Sequence, residues 1–345
     1  MKVLTVVGAR PQFIKAAVLR KVFFDQHVDE KLVHTGQHYD HNMSDIFFDE
    51  LGIRAADYKL NLLQRSHAGL TGEVMLGVEN ILEIEKPDWC LVYGDTNSTL
   101  AAALAASKLQ VPICHVEAGQ RAFNREIPEE INRVLTDHVS DLLFCSTFSA
   151  VNNLKNEGII SGVHHVGDVM YDAVKLFTDE VEHHQLSEMV GISIPEDYCL
   201  LTIHRSETLT NREKICEILK FAADNSNNLE ILFVLHPHTV QKIKSYGIEL
   251  NRFLCLAPQA YRAMQSLIRN SQLILTDSGG IQKEAYFHSV KCITLRNETE
   301  WVETIECGWN RLWTQPDYKW PERPIPEFGD GFCGEKIVQI MKGQK

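Results

Sequence analysis

Three segments of the sequence place acidic side chains next to apolar, strand-like runs or helix starts. Asp95 follows such a run in VYGDTNST, Glu117 follows another in HVEAGQR, and Glu129 comes after Pro128 in REIPEEINR. Taken singly, Asp95 could be a helix N-cap and Glu129 an ordinary first-turn acid. Glu117 has no evident capping role, and three carboxylates in the loops of one domain favour acid/base chemistry.

The first strand-like run ends at Gly8 and leads into a helix start that favours an anion. Pro11 is suited to the first helical turn, and Arg10 and Lys15 flank it. The N-terminus of a helix carries partial positive charge, so cations are unfavourable there unless an anion lies between them. The pair therefore predicts an anion-binding site.

The second half of the chain contains histidines directly after strand-like runs. LTIHRSE ends a strand-like run with His204 beside Arg205, and LHPH contains His236 and His238. We predict that His204 lies at the ligand site and that His236 is a substrate ligand. The H-x-H spacing is compatible with zinc, but no third ligand falls at a telling distance, so we predict no metal.

A glycine pair in LTDSGGIQKEA follows another strand-like run and precedes a helix. Ser278, Gly279 and Gly280 leave backbone amides accessible to a phosphate, although a simple tight turn would look the same. Glu284 lies one helical turn further and is suited to the two hydroxyls of a ribose. This segment predicts a nucleotide-phosphate site.

These candidate residues must be positioned by alternating strands and helices. Apolar runs alternate with amphipathic stretches, and the pattern restarts after about Gly167. This predicts an α/β protein with two doubly wound, parallel, Rossmann-like domains and a cleft between them. We predict an N-terminal domain over 1–168, joined by a C-terminal helix over 333–345, and a second domain over 169–332.

Composition excludes several classes of function. The formal net charge of -12 argues against a nucleic-acid partner, because phosphate-backbone binding needs many unopposed cations. Nine cysteines without a CxxC pair predict reduced thiols in the cytoplasm, and the short opening apolar run predicts no membrane association. Neither G-x-G-x-x-G nor a P-loop motif occurs, so we predict neither a nicotinamide cofactor nor NTPase activity.

Seven segments, in this order, resemble the non-hydrolysing UDP-N-acetylglucosamine 2-epimerases: GARPQFIK, VYGDTNST, HVEAG, PEEINR, TIHRSE, HPH and DSGGIQKEA. The resemblance implies the glycosyltransferase-B-like fold and a homodimer. It also implies interconversion of UDP-GlcNAc and UDP-ManNAc without metal or nicotinamide. UDP would be eliminated to leave a 2-acetamidoglucal and then added back.

The same resemblance implies roles for the candidate residues. Arg10 and Lys15 would bind the diphosphate, whereas Asp95, Glu117 and Glu129 would surround the sugar together with His204. Ser278, Gly280 and Glu284 would hold the phosphate and the uridine ribose. The predicted anion beside Pro11 is then the UDP pyrophosphate.

Two alternatives stay open at this level. Trp301, in TEWVE, stands where typical UDP-GlcNAc enzymes have arginine, and TEWVE, GARPQFIK and AYFH are more similar to the subgroup acting on UDP-2,3-diacetamido-2,3-dideoxy-glucuronate. A glycosyltransferase of the same fold is the alternative of another class. It would consume a sugar nucleotide only in the presence of an acceptor.

Overall fold

The chain divides into two compact units, comprising 1–176 with 326–345 and 177–325. The computed structural model describes residues 1–37, 51, 54–64, 66–178 and 181–344, apart from the side chain of Arg10. Each unit contains a parallel sheet flanked by helices. The predicted α/β class with two doubly wound parallel sheets is confirmed.

The described sheet of the first unit has seven parallel strands in the order β3-β2-β1-β4-β5-β6-β7. These strands are β1 (Lys2–Val7), β2 (Asp29–His34), β3 (Tyr58–Lys59), β4 (Trp89–Tyr93), β5 (Ile113–Val116), β6 (Leu142–Cys145) and β7 (Val163–His165). The described helices before the second unit are α1 (Arg10–Asp25), α2 (His67–Glu85), α3 (Asn97–Lys108), α4 (Pro128–Val139), α5 (Phe148–Asn156) and α6 (Val169–Phe177). Every residue of β4 and β5 is buried, as expected for parallel strands covered on both faces.

The sheet of the second unit has six parallel strands in the order β10-β9-β8-β11-β12-β13. They are β8 (Tyr198–Ile203), β9 (Glu230–Leu235), β10 (Phe253–Leu256), β11 (Leu273–Thr276), β12 (Cys292–Thr294) and β13 (Asn310–Leu312). The described helices are α7 (His183–Val190), α8 (Arg212–Asn225), α9 (Pro237–Ser245), α10 (Tyr261–Asn270), α11 (Gly279–Phe287) and α12 (Val302–Glu306).

Strand order creates one switch point in each sheet. In the first unit the order reverses between β1 and β4, and in the second it reverses between β8 and β11. Open parallel sheets bind ligands at the carboxyl ends of strands where the order reverses. Gly8 and Asp95 follow β1 and β4, whereas His204 and Asp277 follow β8 and β11.

Small and apolar side chains explain how the helices cover the sheets. On α2, the buried residues Leu70, Val74, Val78 and Ile81 recur with helical spacing. Five of the twelve residues of α3 are alanine, and its segment from 101 to 103 is fully buried, so this helix packs closely against α2 and the sheet. Within the described residues, no helix combines the length and apolarity needed to cross a membrane.

The end of the chain returns to the first unit. After a 3-10 turn at Pro326–Phe328, the helix α13 (Cys333–Gly343) packs on α1. The observed division falls at 176/177, eight residues beyond the predicted boundary at 168/169, and the returning segment begins at 326 rather than 333. The physical reason is that α6 belongs with this segment: Asp172 accepts a hydrogen bond from Gly334 N at 2.7 Å, and Lys175 Nζ donates to Asp330 O at 2.9 Å.

Asp172 makes this packing sensitive to pH. Burial raises the pKa of its carboxyl to about 6, against an ordinary 3.8, although the backbone N–H groups of Gly334 and Cys333 oppose the rise. A carboxyl with a raised native pKa favours the native state below its unfolded pKa, and that contribution is lost as the pH rises through about 6.

We therefore expect Asp172→Asn to raise the free energy of unfolding at pH 8 by up to about 3 kcal/mol, because about two pKa units are involved. The gain should shrink towards zero near pH 4. Urea denaturation of both proteins at the two pH values measures the difference, with the exposed Asp29→Asn as control. A pH-independent difference would contradict the prediction.

Candidate active site

In the first unit, Gln12 forms hydrogen bonds to both loops of the switch point, the one after β1 and the one after β4. Its Oε1 accepts hydrogen bonds from Gly8 N at 2.7 Å and Ala9 N at 3.0 Å. Its Nε2 donates to Tyr93 O at 2.6 Å, at the end of β4. A Cβ on Gly8 would lie 2.4 Å from Ser98 Oγ, so only glycine permits this approach of β1 to α3. Gln12 was not among the predicted site residues.

The Asp95 carboxylate is not used as a helix cap, because the next residue, Thr96, caps α3. Thr96 is the N-cap of α3, and its Oγ1 accepts from Thr99 N at 3.2 Å. The Asp95 carboxylate instead forms an ion pair with Arg133 of α4, and Asn132 Nδ2 donates to its backbone oxygen at 2.9 Å. The structure therefore assigns to Thr96 the cap that the sequence alone could have assigned to Asp95.

The environment of Asp95 favours its protonated form. Burial raises the pKa of this carboxyl, Arg133 opposes the rise, and Glu117 adds to it. Burial is the largest of these influences, although 34% of the side-chain surface is accessible. A carboxyl group with a raised pKa can carry a proton closer to neutral pH, as a general acid must.

Glu117 occupies a backbone conformation that non-glycine residues rarely adopt. Its φ is 71°, directly after β5, and its carboxylate forms an ion pair with the buried Lys15 of α1. Such left-handed residues concentrate at functional sites, where the surroundings impose the strain. The ammonium group that the sequence assigned to an external anion therefore contacts a carboxylate of the protein itself.

The two acids of PEEINR have different surroundings. Glu129 is exposed in the first turn of α4, whereas Glu130 is buried. The Glu130 carboxylate accepts hydrogen bonds from Ala122 N and Phe123 N, each at 2.9 Å, and from Arg133 at 3.1 Å. Glu130 thus shapes the loop before α4, while the structure brings Asp95 and Glu117, but not Glu129, into the ion-paired cluster.

In the second unit, a buried carboxylate organises the histidine loop. Asp277 is fully buried and accepts hydrogen bonds from His204 N and Arg205 N, both at 2.9 Å. His204 Nδ1 lies 3.4 Å from Asp277 Oδ1, and 39% of the His204 side chain is exposed. Asp277 was not among the predicted site residues. It orients a ring whose other face meets His236, with centroids 5.7 Å apart.

The glycine-rich segment divides into a buried and an open position. Ser278 is the N-cap of α11, and Gly279 is buried so closely that a Cβ would lie 2.2 Å from Glu300 Oε1. Gly280 is exposed, and a Cβ there would meet no atom nearer than 3.9 Å. Glu284 lies one turn into the helix and is buried. The open amide end of α11 is therefore at Gly280.

His236 has a local structural role. It is the N-cap of α9, and its Nδ1 accepts from His238 N at 3.3 Å. Within the described residues, no three His, Cys, Asp or Glu side chains gather as a metal site would require.

Trp301 and a set of charged side chains pack next to Gly279. Arg296 donates to Glu300 at 2.8 Å, and Arg205 lies 3.7 Å from the same carboxylate. Burial acts to raise the pKa of Glu300, but Arg296 and Arg205 leave it lowered. Trp301 is buried, and Lys283 Nζ lies 3.7 Å from the centroid of its indole. Trp301, which the sequence associated with substrate choice, thus packs beneath Gly279, where an added Cβ would lie 3.4 Å from its Nε1.

Comparison with known proteins identifies one family over most of the chain. Residues 21–320 match the family model described as UDP-N-acetylglucosamine 2-epimerase. A UDP-N-acetylglucosamine 2-epimerase homolog of Methanococcus maripaludis is 47% identical over 361 residues, covering 99% of each chain. The Pseudomonas aeruginosa UDP-2,3-diacetamido-2,3-dideoxy-D-glucuronate 2-epimerase is 46% identical, covering 90% of this chain and 88% of its own.

A solved structure extends the similarity to the backbone. The crystal structure of Methanocaldococcus jannaschii UDP-GlcNAc 2-epimerase, in complex with UDP-GlcNAc and UDP, is 37% identical with a TM-score of 0.89. The alignment covers 99% of this chain and 100% of that chain.

Proposed function

Because the chain belongs to the UDP-N-acetylglucosamine 2-epimerase family, we propose that it interconverts the C2 epimers of a UDP-2-acetamido sugar without hydrolysing it. It is an isomerase. The observation that carries the proposal is the pair of strand-end carboxylates in the first unit, Asp95 and Glu117, each held by a cation. This arrangement suits proton transfer at a carbon beside a charged leaving group.

The reaction requires a base and an acid on opposite faces of the sugar. One group removes the C2 proton, the C1–O bond breaks with its electron pair going to UDP, and a C1=C2 double bond forms. Proton return to the other face and re-addition of UDP give the epimer. Asp95, Glu117 and Glu129 are the proposed acid/base groups of the N-terminal domain, and the raised pKa of Asp95 suits a proton donor.

The remaining candidates are assigned to UDP. His204, oriented by Asp277, is proposed to stabilise the departing diphosphate, and the open amide at Gly280 suits a phosphate oxygen. Arg10, at the start of α1, is proposed to bind the same diphosphate. The full set of proposed UDP ligands is Arg10, Lys15, His236, Ser278, Gly279, Gly280 and Glu284. The C-terminal unit is accordingly proposed as the main UDP-binding domain.

Lys15 has two states in this proposal. Its ammonium pairs with Glu117 in the structure and would be shared with the diphosphate when UDP binds. Partial release of Glu117 would make that carboxylate a stronger hydrogen-bond acceptor at the moment the leaving group is in place. The ion pair therefore couples binding of UDP to the availability of a base.

The substrate proposed first is UDP-GlcNAc, with UDP-ManNAc as product. A second candidate is the UDP-2,3-diacetamido-2,3-dideoxy-glucuronate of the subgroup with TEWVE. Trp301 and the 46% identity to the Pseudomonas aeruginosa enzyme favour it. Trp301 is buried under the loop and not at its surface, so discrimination by this residue would act through the position of Gly279 and Glu300.

The setting of the reaction is a further part of the proposal. We propose a homodimer in the cytoplasm that supplies precursors of surface polysaccharides. Apolar side chains exposed on α2, Leu76 and Ile84, support association, and nine free cysteines support a reducing compartment. Light scattering of the purified protein tests the dimer.

The binding part is tested at Arg10. We expect Arg10→Ala to weaken UDP binding by about 1.5–3 kcal/mol, the range of a charge-assisted hydrogen bond. Isothermal titration calorimetry measures it, with Lys21→Ala as a control that removes an exposed cation from the same helix. An unchanged UDP affinity in a folded Arg10→Ala protein would remove Arg10 from the site.

The substrate is tested by NMR of the purified protein with each UDP-sugar in turn. If Trp301 marks the uronate subgroup, turnover on the diacetamido-uronate should exceed turnover on UDP-GlcNAc by at least about tenfold, or roughly 1.4 kcal/mol of differential transition-state binding. Equal or reversed rates would leave UDP-GlcNAc as the substrate. Consumption of either sugar nucleotide only after addition of an acceptor would indicate a glycosyltransferase.

A further inference from the structure

His115 lies inside the first unit, beneath the loops that carry Asp95 and Glu117. The ring is fully buried in β5, two residues before Glu117. Its Nδ1 lies 2.7 Å from Asp137 Oδ1, and its Nε2 lies 2.7 Å from Gly94 O. Both ring nitrogens are therefore within hydrogen-bond distance of an oxygen, and one of those oxygens belongs to the residue before Asp95.

The nature of the two oxygens determines the charge of the ring. A backbone carbonyl can only accept, and an ionised carboxylate can only accept. A neutral imidazole has one N–H, so either neutral tautomer would leave a ring lone pair facing an oxygen lone pair at 2.7 Å. Both contacts are satisfied together only when both nitrogens carry hydrogen.

The neighbours of Asp137 hold it in the ionised form. Its Oδ2 accepts from Arg121 Nη1 at 2.7 Å and from Gly119 N at 3.1 Å, and these donors favour the charged carboxylate. Arg121 in turn forms a bidentate pair with Glu157, at 2.7 and 2.8 Å. Arg121 is therefore shared by two carboxylates, Asp137 and Glu157, and His138 Nδ1 lies 3.8 Å from Glu157 Oε2. Cys145, also buried near Asp137, has its thiol pKa raised by burial and so adds no charge.

We propose that His115 carries hydrogen on both ring nitrogens and, by bridging Asp137 and Gly94 O, positions the Asp95 and Glu117 loops for catalysis. It acts as a positioning residue: it holds the Gly94 carbonyl, while Asp137 on its other side holds Gly119 N. Glu117 has a left-handed conformation, with φ 71°, which is strained for a residue with a Cβ, so its loop needs fixed partners to stay in place. This inference rests on the proposed function for its catalytic part only.

The charge state is tested without any substrate. In protein labelled with ¹⁵N histidine, the signals of His115 are assigned as those lost in His115→Gln, or as those displaced in Asp137→Asn if the first variant does not fold. We expect both ring nitrogens to carry hydrogen in the native protein at pH 7, because each faces an oxygen that only accepts hydrogen bonds. A neutral ring in the native protein at pH 7 would overturn the proposal.

The positioning role is tested by kinetics on the UDP-sugar that the wild-type protein epimerises. His115→Gln and Asp137→Asn should each lower kcat at least tenfold and leave KM within about threefold, because the loops lose their fixed partners while the UDP ligands are untouched. The exposed His138→Gln on α4 should match the wild type. An unchanged kcat in both folded variants would overturn the positioning role. Inactivity of the wild type on both UDP-sugars would instead count against the proposed function, and the NMR result would still decide the charge.

Discussion

In heavy water, the protein is expected to place deuterium at C2 of the epimerised UDP-sugar. The C2 proton must leave as UDP is eliminated, and the proton that returns is drawn from a group that exchanges with solvent. A hydride mechanism would retain the original hydrogen at C2. Mass spectrometry and proton NMR of the product distinguish the two routes, and active epimerisation without deuterium gain would rule out the elimination.

Glu117→Gln should reduce this exchange and the overall turnover by about 10²-fold or more, the usual contribution of a positioned acid or base. The amide keeps the size of the side chain but cannot take a proton, and it removes the charge partner of the buried Lys15. Glu83→Gln, an exposed position on α2, provides the matched control and should retain full turnover. If the folded Glu117 variant exchanged C2 at the wild-type rate, Glu117 would not be the base.

The second large effect is expected at Asp277. Asp277→Asn should lower kcat by about 10²-fold or more, because an amide cannot stabilise an imidazolium and can leave His204 in the wrong orientation or tautomer. The carboxylate also accepts the backbone N–H groups of His204 and Arg205, which the remaining amide oxygen can satisfy only in part.

A control separates this effect from general destabilisation. Asp224→Asn changes an exposed carboxylate on α8 of the same unit and should leave both kcat and the melting temperature unchanged. UDP affinity of Asp277→Asn, measured by calorimetry, should change less than its kcat. Wild-type kcat in the folded Asp277 variant would show that His204 needs no carboxylate partner.

The sequence predicted the sheets well because buried parallel strands have a strong apolar pattern. Runs such as Leu142–Cys145 and Leu273–Thr276 are fully buried, as expected from their composition. The short strands β3, β7 and β13 were not predicted, since their residues carry no comparable apolar run. Their place in the sheets depends on neighbouring strands and not on their own composition.

A site residue could be predicted when the residues directly around it in the sequence were enough to identify it. Glu117 had no local structural explanation, and the structure shows it strained and ion-paired. Its partner was not predictable, because Lys15 lies 102 residues away in the sequence. The sequence therefore indicated an anion near Lys15 without revealing that a carboxylate of the protein would be its partner.

Gln12 and Asp277 show the same limit. A glutamine in the first turn of a helix is a recognised capping signal, but its contact with Tyr93 O spans 81 residues. Asp277 stands before a glycine pair, where an acid is typical of an ordinary turn. Its contact with His204 N spans 73 residues and depends on β8 lying beside β11, which only the strand order determines.

The return of the last helix to the first unit has a consequence for biosynthesis. A chain emerging from the ribosome presents all of 177–325 before Cys333–Gly343 is made, and α13 then supplies contacts such as Gly334 against Val18 and Val22 of α1. Domains usually fold in the order of their synthesis. Here the unit whose translation starts first is completed last, because 326–345 belong to it, so the second unit has its full sequence available earlier.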